Sequence, residues 1–169
     1  KRQVSMPLFG KKNKPLTVQF KIAEQIANLK PQMYVKVTFL DEEQKIELIP
    51  SYAKKKEPVY IKYDQLLAFK SLTQKEIIEK EKNVLGRAVI GGVLLGSLGS
   101  VIGGMSGIGT KKETDTTYYI VINFKSIQNP GEIKVLSLEV DGTTKHYGAF
   151  HDKLTSLTPK PESPKDGYL

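Results

Sequence analysis

"MYVKVTFLDEEQKIELIP", Met33–Pro50, contains two candidate β-strands and the acidic turn between them. Apolar and polar residues alternate on both sides of that turn, and the apolar positions are Met33, Val35, Val37, Phe39, Ile46 and Leu48. A period of two places every second side chain on the same face of a strand. The stretch therefore predicts a β-hairpin with one face on a core.

Other β-rich segments lie on both sides of this hairpin. They are Leu16–Ile22 before it, and Val59–Tyr63, Leu66–Leu72, Thr117–Phe124 and Ile133–Val140 after it. Together with the hairpin they predict about seven strands. In His146–Leu157 the apolar residues instead recur three and four positions apart, which predicts a short amphipathic helix.

The composition limits the class of protein. The chain has 169 residues, enough for one domain with a core and an insertion. Its formal net charge of +8 favours anionic partners such as lipid headgroups. The absence of cysteine excludes disulfides and thiol catalysis, and fits a cytoplasmic protein. We also expect no secretory signal, a natural start at Met6, and Lys1–Ser5 as an upstream extension.

A glycine-rich stretch, Gly86–Lys112, separates the fifth and sixth predicted strands. It is uncharged from Ala88 to Thr110, although the chain as a whole is hydrophilic, with a mean hydropathy of -0.31. Small residues recur every four positions in two rows: Ala88, Gly92, Gly96, Ser100 and Gly104 in one, and Gly99, Gly103 and Gly107 in the other. The apolar residues between them include Val93, Leu94, Leu98, Val101 and Ile102.

Such rows let helices approach closely within a lipid bilayer. We therefore expect these residues to insert into a membrane and to form contacts between copies of the chain. Arg87, Lys111 and Lys112 flank the uncharged run. Lys11, Lys12 and Lys14 lie in the N-terminal arm. We expect both groups to contact lipid headgroups. Whether the insertion spans the bilayer or enters it part-way stays open, as does a soluble hairpin packed on its own domain.

Other site chemistry is sparse in this sequence. A phosphate loop is disfavoured because the nearest match, Gly104–Lys111, has its lysine and hydroxyl in the wrong order. His146 and His151 have no cysteines or carboxylate pair beside them, so they predict no metal site. The acidic turn Asp41–Glu43 is expected to be solvated. No catalytic residue, metal or cofactor is predicted, and no basic face interleaved with aromatic residues supports nucleic-acid binding.

The strand order, together with "GRAVIGG" and "GSVIGGMSGIGTKK", resembles small bacterial PH-like domain proteins of Gram-positive chromosomes and prophages. Several of these carry a similar insertion between their fifth and sixth strands. The resemblance covers Leu16 to about Leu157 and implies a mainly β (α+β) fold. That fold is a PH-like barrel of about seven strands with a C-terminal helix and a glycine-rich apolar helical insertion between strands 5 and 6.

The domain organisation follows from these segments. Residues 1–15 form a basic N-terminal arm, residues 16–157 the PH-like domain, and residues 158–169 a disordered tail. A charged helical stem and the insertion occupy residues 74–112 within the domain. The stem is placed to project the insertion away from the barrel.

Two functions remain open. In the first, a non-enzymatic protein moves from the cytoplasm to anionic membrane lipids, forms a homo-oligomer and disrupts the bilayer. The resemblance implies a setting for this function, because similar prophage-encoded proteins are implicated in immunity against other phages. One type is triggered by a ring-shaped phage protein and forms membrane-disrupting oligomers. In the second, a soluble adaptor binds a peptide or an anionic headgroup while the insertion stays packed.

Overall fold

The computed structural model describes residues 14–82, 89–105 and 117–160. Its strands are β1 (Thr17–Ile22), β2 (Tyr34–Leu40), β3 (Lys45–Pro50), β4 (Val59–Lys62), β5 (Leu66–Thr73), β6 (Val89–Ile90), β7 (Val93–Leu94), β8 (Tyr118–Lys125) and β9 (Ile133–Val140). Its helices are α1 (Gln74–Lys82), α2 (Leu98–Met105) and α3 (Tyr147–Leu157).

Seven strands form one antiparallel sheet in the order β4-β3-β2-β1-β9-β8-β5. The seven predicted strands and the C-terminal helix are thus confirmed, with ends that differ by only a residue or two. The described part of the insertion lies between β5 and β8, the fifth and sixth strands of this sheet, as expected.

The predicted barrel is not closed, because β4 and β5 are the two edges of the sheet and do not pair with each other. A short 3-10 turn, Tyr63–Gln65, separates these strands and redirects the chain. The buried Gln65 side chain accepts the Lys62 N–H at 2.7 Å and donates to the Lys125 carbonyl at 2.7 Å. These bonds fix the corner that carries the chain from one edge to the other.

The main core lies on the inner face of the sheet, and α3 packs against it. Phe150 of α3 is fully buried, and its ring centroid lies 4.7 Å from that of Phe20 and 5.2 Å from that of Phe39. Leu154, one turn later, is also fully buried. Because Phe150 and Leu154 are four positions apart, they lie on the same face of α3 and both reach the core, as the sequence predicted.

The acidic turn is exposed to solvent, as expected, and Asp41 also contacts the rest of the domain. Asp41 accepts hydrogen bonds from the Lys153 ammonium of α3 and from the Tyr63 hydroxyl, each at 2.7 Å. These bonds, the one from Lys153 above all, lower the pKa of the Asp41 carboxyl. Asp41 therefore joins the β2–β3 turn to the C-terminal helix.

We predict that Asp41→Asn lowers the free energy of unfolding at pH 7 by less than about 1 kcal/mol, because the pair is exposed. A lowered folded-state pKa stabilises the fold above the pKa of the unfolded carboxyl, roughly 4, and this contribution is lost as the pH falls through the folded value. Urea unfolding at pH 7 and at about pH 3 should therefore show a larger difference from wild type at pH 7 than at pH 3. Glu42→Gln, at an exposed neighbour, is the control. An equal difference at both pH values would contradict this account.

Candidate functional site

The described part of the glycine-rich insertion is folded against the sheet. Residues 89–94 form a tight hairpin, β6–β7, and α2 follows it. Both elements lie on the outer face of the sheet, over β5, β8 and β9. The insertion thus forms a second layer on the side opposite α3.

A second hydrophobic cluster holds this layer in place. Its buried members from the insertion are Val93, Leu95, Leu98 and Ile102, each at most 3% exposed. The members from the rest of the domain are Ala23, Leu72, Ile77, Tyr119 and Val121. This cluster is separate from the main core, because the sheet itself lies between them.

Strand β8 is consequently buried on both faces. Ile120 and Ile122 belong to the main core, whereas Tyr119 and Val121 lie beneath the insertion. Burial raises the pKa of the Tyr119 hydroxyl above its ordinary value, so this side chain remains neutral under the insertion. The near-continuous apolar run of β8 reflects this burial by two layers.

Asn123 of β8 makes a pair of hydrogen bonds to the insertion. Its side-chain oxygen accepts the Leu94 N–H at 2.7 Å, and its amide nitrogen donates to the Leu94 carbonyl at 2.9 Å. Asn123 is 3% exposed, so loss of either bond would leave a buried polar group unpaired. The amide thereby fixes where strand β7 sits on the sheet.

Glu24, in the β1–β2 loop, makes the second polar contact. One carboxylate oxygen accepts bonds from the Ser97 N–H at 3.0 Å and the Ser97 hydroxyl at 2.7 Å. The other accepts the hydroxyl of the fully buried Ser137 at 3.3 Å. Ser97 immediately precedes α2, so the carboxylate also complements the positive end of the helix dipole.

In the packed insertion, Gly92 and Gly96 do not lie on the predicted helical row, whereas their role in a membrane stays a prediction. Their φ angles of +80° and +61° are left-handed, so neither residue lies on a helix. A side chain at Gly96 would also meet the Glu24 carboxylate, with a Cβ only 2.9 Å from one oxygen. These glycines permit the turns of the hairpin and the close approach of Glu24.

The remaining predicted insertion residues differ in their location and in their exposure to solvent. Gly99, Ser100, Gly103 and Gly104 lie in α2, where Gly99 is buried and Ser100 exposed. Of the apolar positions, Val93, Leu98 and Ile102 are buried, whereas Leu94 and Val101 are partly exposed. Ala88 and Gly107 lie outside the described residues.

The charged stem is a helix, as predicted, but it does not hold the insertion away from the sheet. A capping box starts α1, in which the Thr73 hydroxyl accepts the Glu76 N–H and the Glu76 carboxylate accepts the Thr73 N–H. Ile77 is fully buried in the second cluster, and α1 packs against α2. The stem is therefore part of the layer that covers the sheet.

The predicted headgroup residues are mostly outside the described chain. Lys14 is exposed, at the start of the described residues. Arg87, Lys111, Lys112, Lys11 and Lys12 lie outside them. Their contact with lipid stays a prediction.

Asn123, Glu24 and Ser137 were missed in the sequence analysis. A signal for Asn123 was present, because one amide interrupts the otherwise apolar segment Thr117–Phe124. A buried amide in a strand requires hydrogen-bond partners. The insertion was the nearest segment in sequence with no predicted place on the sheet. Glu24 carried no such signal, since a carboxylate in a loop is ordinarily solvated.

Two kinds of site are absent from the described residues. None of the helices in residues 14–82, 89–105 and 117–160 is long and apolar enough to cross a bilayer. In the same ranges no group of three histidine and carboxylate side chains is arranged to hold a metal ion.

The sequence matches the family model "Glycine zipper containing PH domain" over residues 24–137, about two thirds of the chain. The match includes the insertion together with β2 to β8. PH domain families are typically non-catalytic. No curated protein and no solved structure matches the chain.

We predict that Asn123→Ala releases the insertion from the sheet, because the Leu94 N–H and carbonyl lose their partners. A buried polar group left unpaired costs about 1–3 kcal/mol, so local opening should become roughly 5- to 150-fold more frequent. Chymotrypsin cleavage after Leu94, Leu95 or Leu98, followed by mass spectrometry, measures this opening.

Glu24→Ala should act in the same direction, since Ser97 would lose two hydrogen bonds. Glu42→Ala removes an exposed carboxylate elsewhere and is the matched control. Cleavage of the Asn123 and Glu24 variants at the rate of this control would show that the two contacts do not hold the insertion.

Proposed function

The chain belongs to the glycine zipper-containing PH domain family, and from this premise we propose that it is a non-enzymatic, membrane-active protein. In this proposal the sheet holds the glycine-rich insertion in a packed state. On release, the insertion enters an anionic membrane, associates with other copies of the chain and disrupts the bilayer.

One observation carries the proposal: the insertion packs through its own cluster, on the face of the sheet opposite the main core. The core that includes Phe20, Phe39 and Phe150 contains none of the described insertion residues 89–105. Opening of the outer layer therefore leaves this core intact. An element that must leave its domain without unfolding it requires such a separation.

The composition of the insertion supports a small net free energy of packing. Its four buried side chains favour the packed state because packing removes them from water. Ordering the backbone opposes packing, and glycine loses more conformational freedom on ordering than any other residue. The described insertion contains six glycines: Gly91, Gly92, Gly96, Gly99, Gly103 and Gly104. Glycine thus weakens the packed state while providing small surfaces for helix association in lipid.

Release would expose a strongly apolar segment. Leu95, Leu98 and Ile102 would lose their cover together, and a contiguous apolar surface of this kind favours a membrane or another copy. The net charge of +8 favours anionic lipid as the target. Helix formation in the bilayer would then satisfy the backbone groups that β6, β7 and α2 pair in the packed state.

The trigger of release follows from the resemblance. The resemblance implies a ring-shaped phage protein as the trigger, a cytoplasmic starting point, a prophage setting and a role in abortive immunity. All four stay predictions. A multivalent trigger would suit the proposed oligomer, because it brings several copies to a high effective concentration.

A second function, the soluble adaptor, is favoured by the same packed arrangement. Asn123 hydrogen-bonds the backbone of Leu94, and Glu24 hydrogen-bonds Ser97. A permanent structural layer would require such contacts. In that case the insertion never contacts lipid. The two functions differ in what happens once the layer is freed.

We predict that a Glu24→Cys, Ser97→Cys variant is inactive when cross-linked and active when freed. The two side chains are in contact, and the chain has no other cysteine, so a short cleavable bis-maleimide can join this pair alone. The cross-linked protein should neither sediment with anionic vesicles nor release an entrapped dye. Reductive cleavage of the linker should restore both activities on the same sample.

The control is the same variant with each thiol blocked separately by a monofunctional maleimide, which should resemble the cleaved protein. Equal dye release before and after cleavage would contradict a mechanism based on release. Absence of vesicle binding in both states, with the sheet still folded by circular dichroism, would favour the adaptor.

A further inference from the structure

The outer face of β1 to β4 is a second surface of the sheet, beside the one that carries the insertion. The described insertion residues pack over β5, β8 and β9. On β1 to β4, every second residue belongs to the main core, so the residues between them point outward. The outward positions that hold a tyrosine or a lysine are Lys21, Tyr34, Lys36, Lys45, Tyr60 and Lys62.

Strand pairing brings these dispersed residues onto one face. Thr38 of β2 lies opposite Glu47 of β3, and Glu47 lies opposite Tyr60 of β4. Tyr34 is four residues from Thr38 along β2, so the spacing of residues and strands places Tyr34 and Tyr60 roughly 16 Å apart. Lys36 lies on β2 between Tyr34 and Thr38. Aromatic and basic side chains thus alternate over a surface long enough for an extended ligand.

Tyr52, in the loop between β3 and β4, extends this surface at the Tyr34 end. The two ring centroids lie 6.1 Å apart, and the ring planes are inclined by 85°. The Lys21 ammonium lies 5.4 Å from the centroid of the Tyr34 ring. Although it contacts Tyr34, the Tyr52 side chain is 80% exposed. An aromatic ring that is held at its edge and open to solvent is suited to stacking against a flat ligand.

Tyr60 is the second exposed tyrosine of this face. The Lys45 ammonium lies 4.1 Å from its ring centroid and also pairs with the Glu43 carboxylate. A cation against a tyrosine ring is a favourable contact that fixes the position of both groups. The ring is still 45% exposed with Lys45 in place, so it too can contact a flat ligand.

Lys36 and Lys62 carry the unpaired positive charge of the face. Both are exposed, and within the described chain neither has a carboxylate at ion-pair distance. The outward positions of β1 to β4, all of them described, hold four lysines and one carboxylate, Glu47. The adjacent β3–β4 loop adds three exposed lysines, Lys54–Lys56, and one exposed glutamate, Glu57. The charge of this surface is therefore complementary to a polyanion.

We propose that this surface binds single-stranded nucleic acid through a tyrosine face that consists of Tyr34, Lys36, Tyr52, Tyr60 and Lys62. Unpaired bases stack on aromatic side chains, while the phosphates that join them contact basic residues along the strand. Both groups are present here, and they are spread over the face rather than gathered in one pocket. A duplex hides its bases, and a polyanion without bases has no ring to stack on the tyrosines. The tyrosine face contains no residue of the insertion.

The test is the fluorescence anisotropy of a labelled oligothymidylate of about 12 nucleotides, titrated with the full-length protein at low salt. Tyr52→Ala with Tyr60→Ala should weaken binding at least about fivefold, because stacking contacts with the bases are lost. Tyr52→Phe with Tyr60→Phe keeps both rings and should bind within about twofold of wild type. Tyr118→Ala removes a tyrosine of β8 that is 49% exposed, and is the matched control.

The lysines are tested through the salt dependence of binding. Lys36→Gln with Lys62→Gln should weaken binding and reduce the slope of log affinity against log salt by about 1.4, since each phosphate contact on a single strand contributes about 0.7. Lys125→Gln with Lys160→Gln removes the same charge from exposed positions elsewhere and should leave the slope unchanged.

Heparin, a polyanion without bases, separates stacking from charge. Its binding should fall in the lysine variant and stay unchanged in the alanine variant of Tyr52 and Tyr60, whose fold is checked by circular dichroism. Absence of oligothymidylate binding, equal losses in this variant and in Tyr118→Ala, or an equal loss of heparin binding would overturn the proposal. The assay contains no lipid, so its outcome is independent of the membrane proposal.

Discussion

Burial of strand β8 on both faces is the constraint on which the rest of the molecule depends. Its inner side chains, such as Ile120 and Ile122, complete the main core, and its outer ones, such as Tyr119 and Val121, require a cover. A bare outer face would leave apolar side chains in water, so the sheet and the insertion stabilise each other. Release of the insertion therefore exposes two apolar surfaces, one on the segment that leaves and one on β5, β8 and β9. A second copy or a lipid surface would then lower the free energy of the open form.

Polar contacts determine where this cover sits. Apolar packing is not directional, whereas Asn123 pairs with both backbone groups of a single residue, Leu94. Glu24 acts in the same way on Ser97 at the start of α2. Since a net intramolecular hydrogen bond contributes only about 0.5–1.5 kcal/mol, these contacts fix the position of the insertion without making its packing irreversible. This combination of a defined position and a modest free energy suits an element that is held and then released.

Local sequence patterns were sufficient for the sheet but not for the insertion. The alternation in Met33–Pro50 predicts a hairpin because one face is buried and the other is solvated, and the structure confirms it. Spacing of four residues did not predict the packed conformation at Gly92 and Gly96, because the same glycines that suit a helix interface also suit left-handed turns. A pattern of small residues cannot distinguish these environments by itself. The partner surface decides between them, and that surface is formed by residues such as Tyr119 and Val121, which are distant in sequence.

The contacts of the site were still less accessible to sequence reasoning. Glu24 and Ser97 are 73 positions apart, and the bond between them depends on the whole sheet being in place. The Asn123 contact was the exception, because an amide within an apolar strand indicates a buried group that needs a hydrogen-bond partner.

Native-state hydrogen exchange of the wild-type protein tests the central claim most directly, because it measures whether the outer layer opens independently of the core. The account predicts that amides of β7 and α2, including those of Leu94 and Val101, exchange through a local opening. The free energy of that opening should be clearly below that of β1 and β2, and should fall less steeply with denaturant concentration than the free energy of global unfolding. Exchange of both regions with the same free energy and the same denaturant dependence would contradict it. The insertion would then be an inseparable part of the fold.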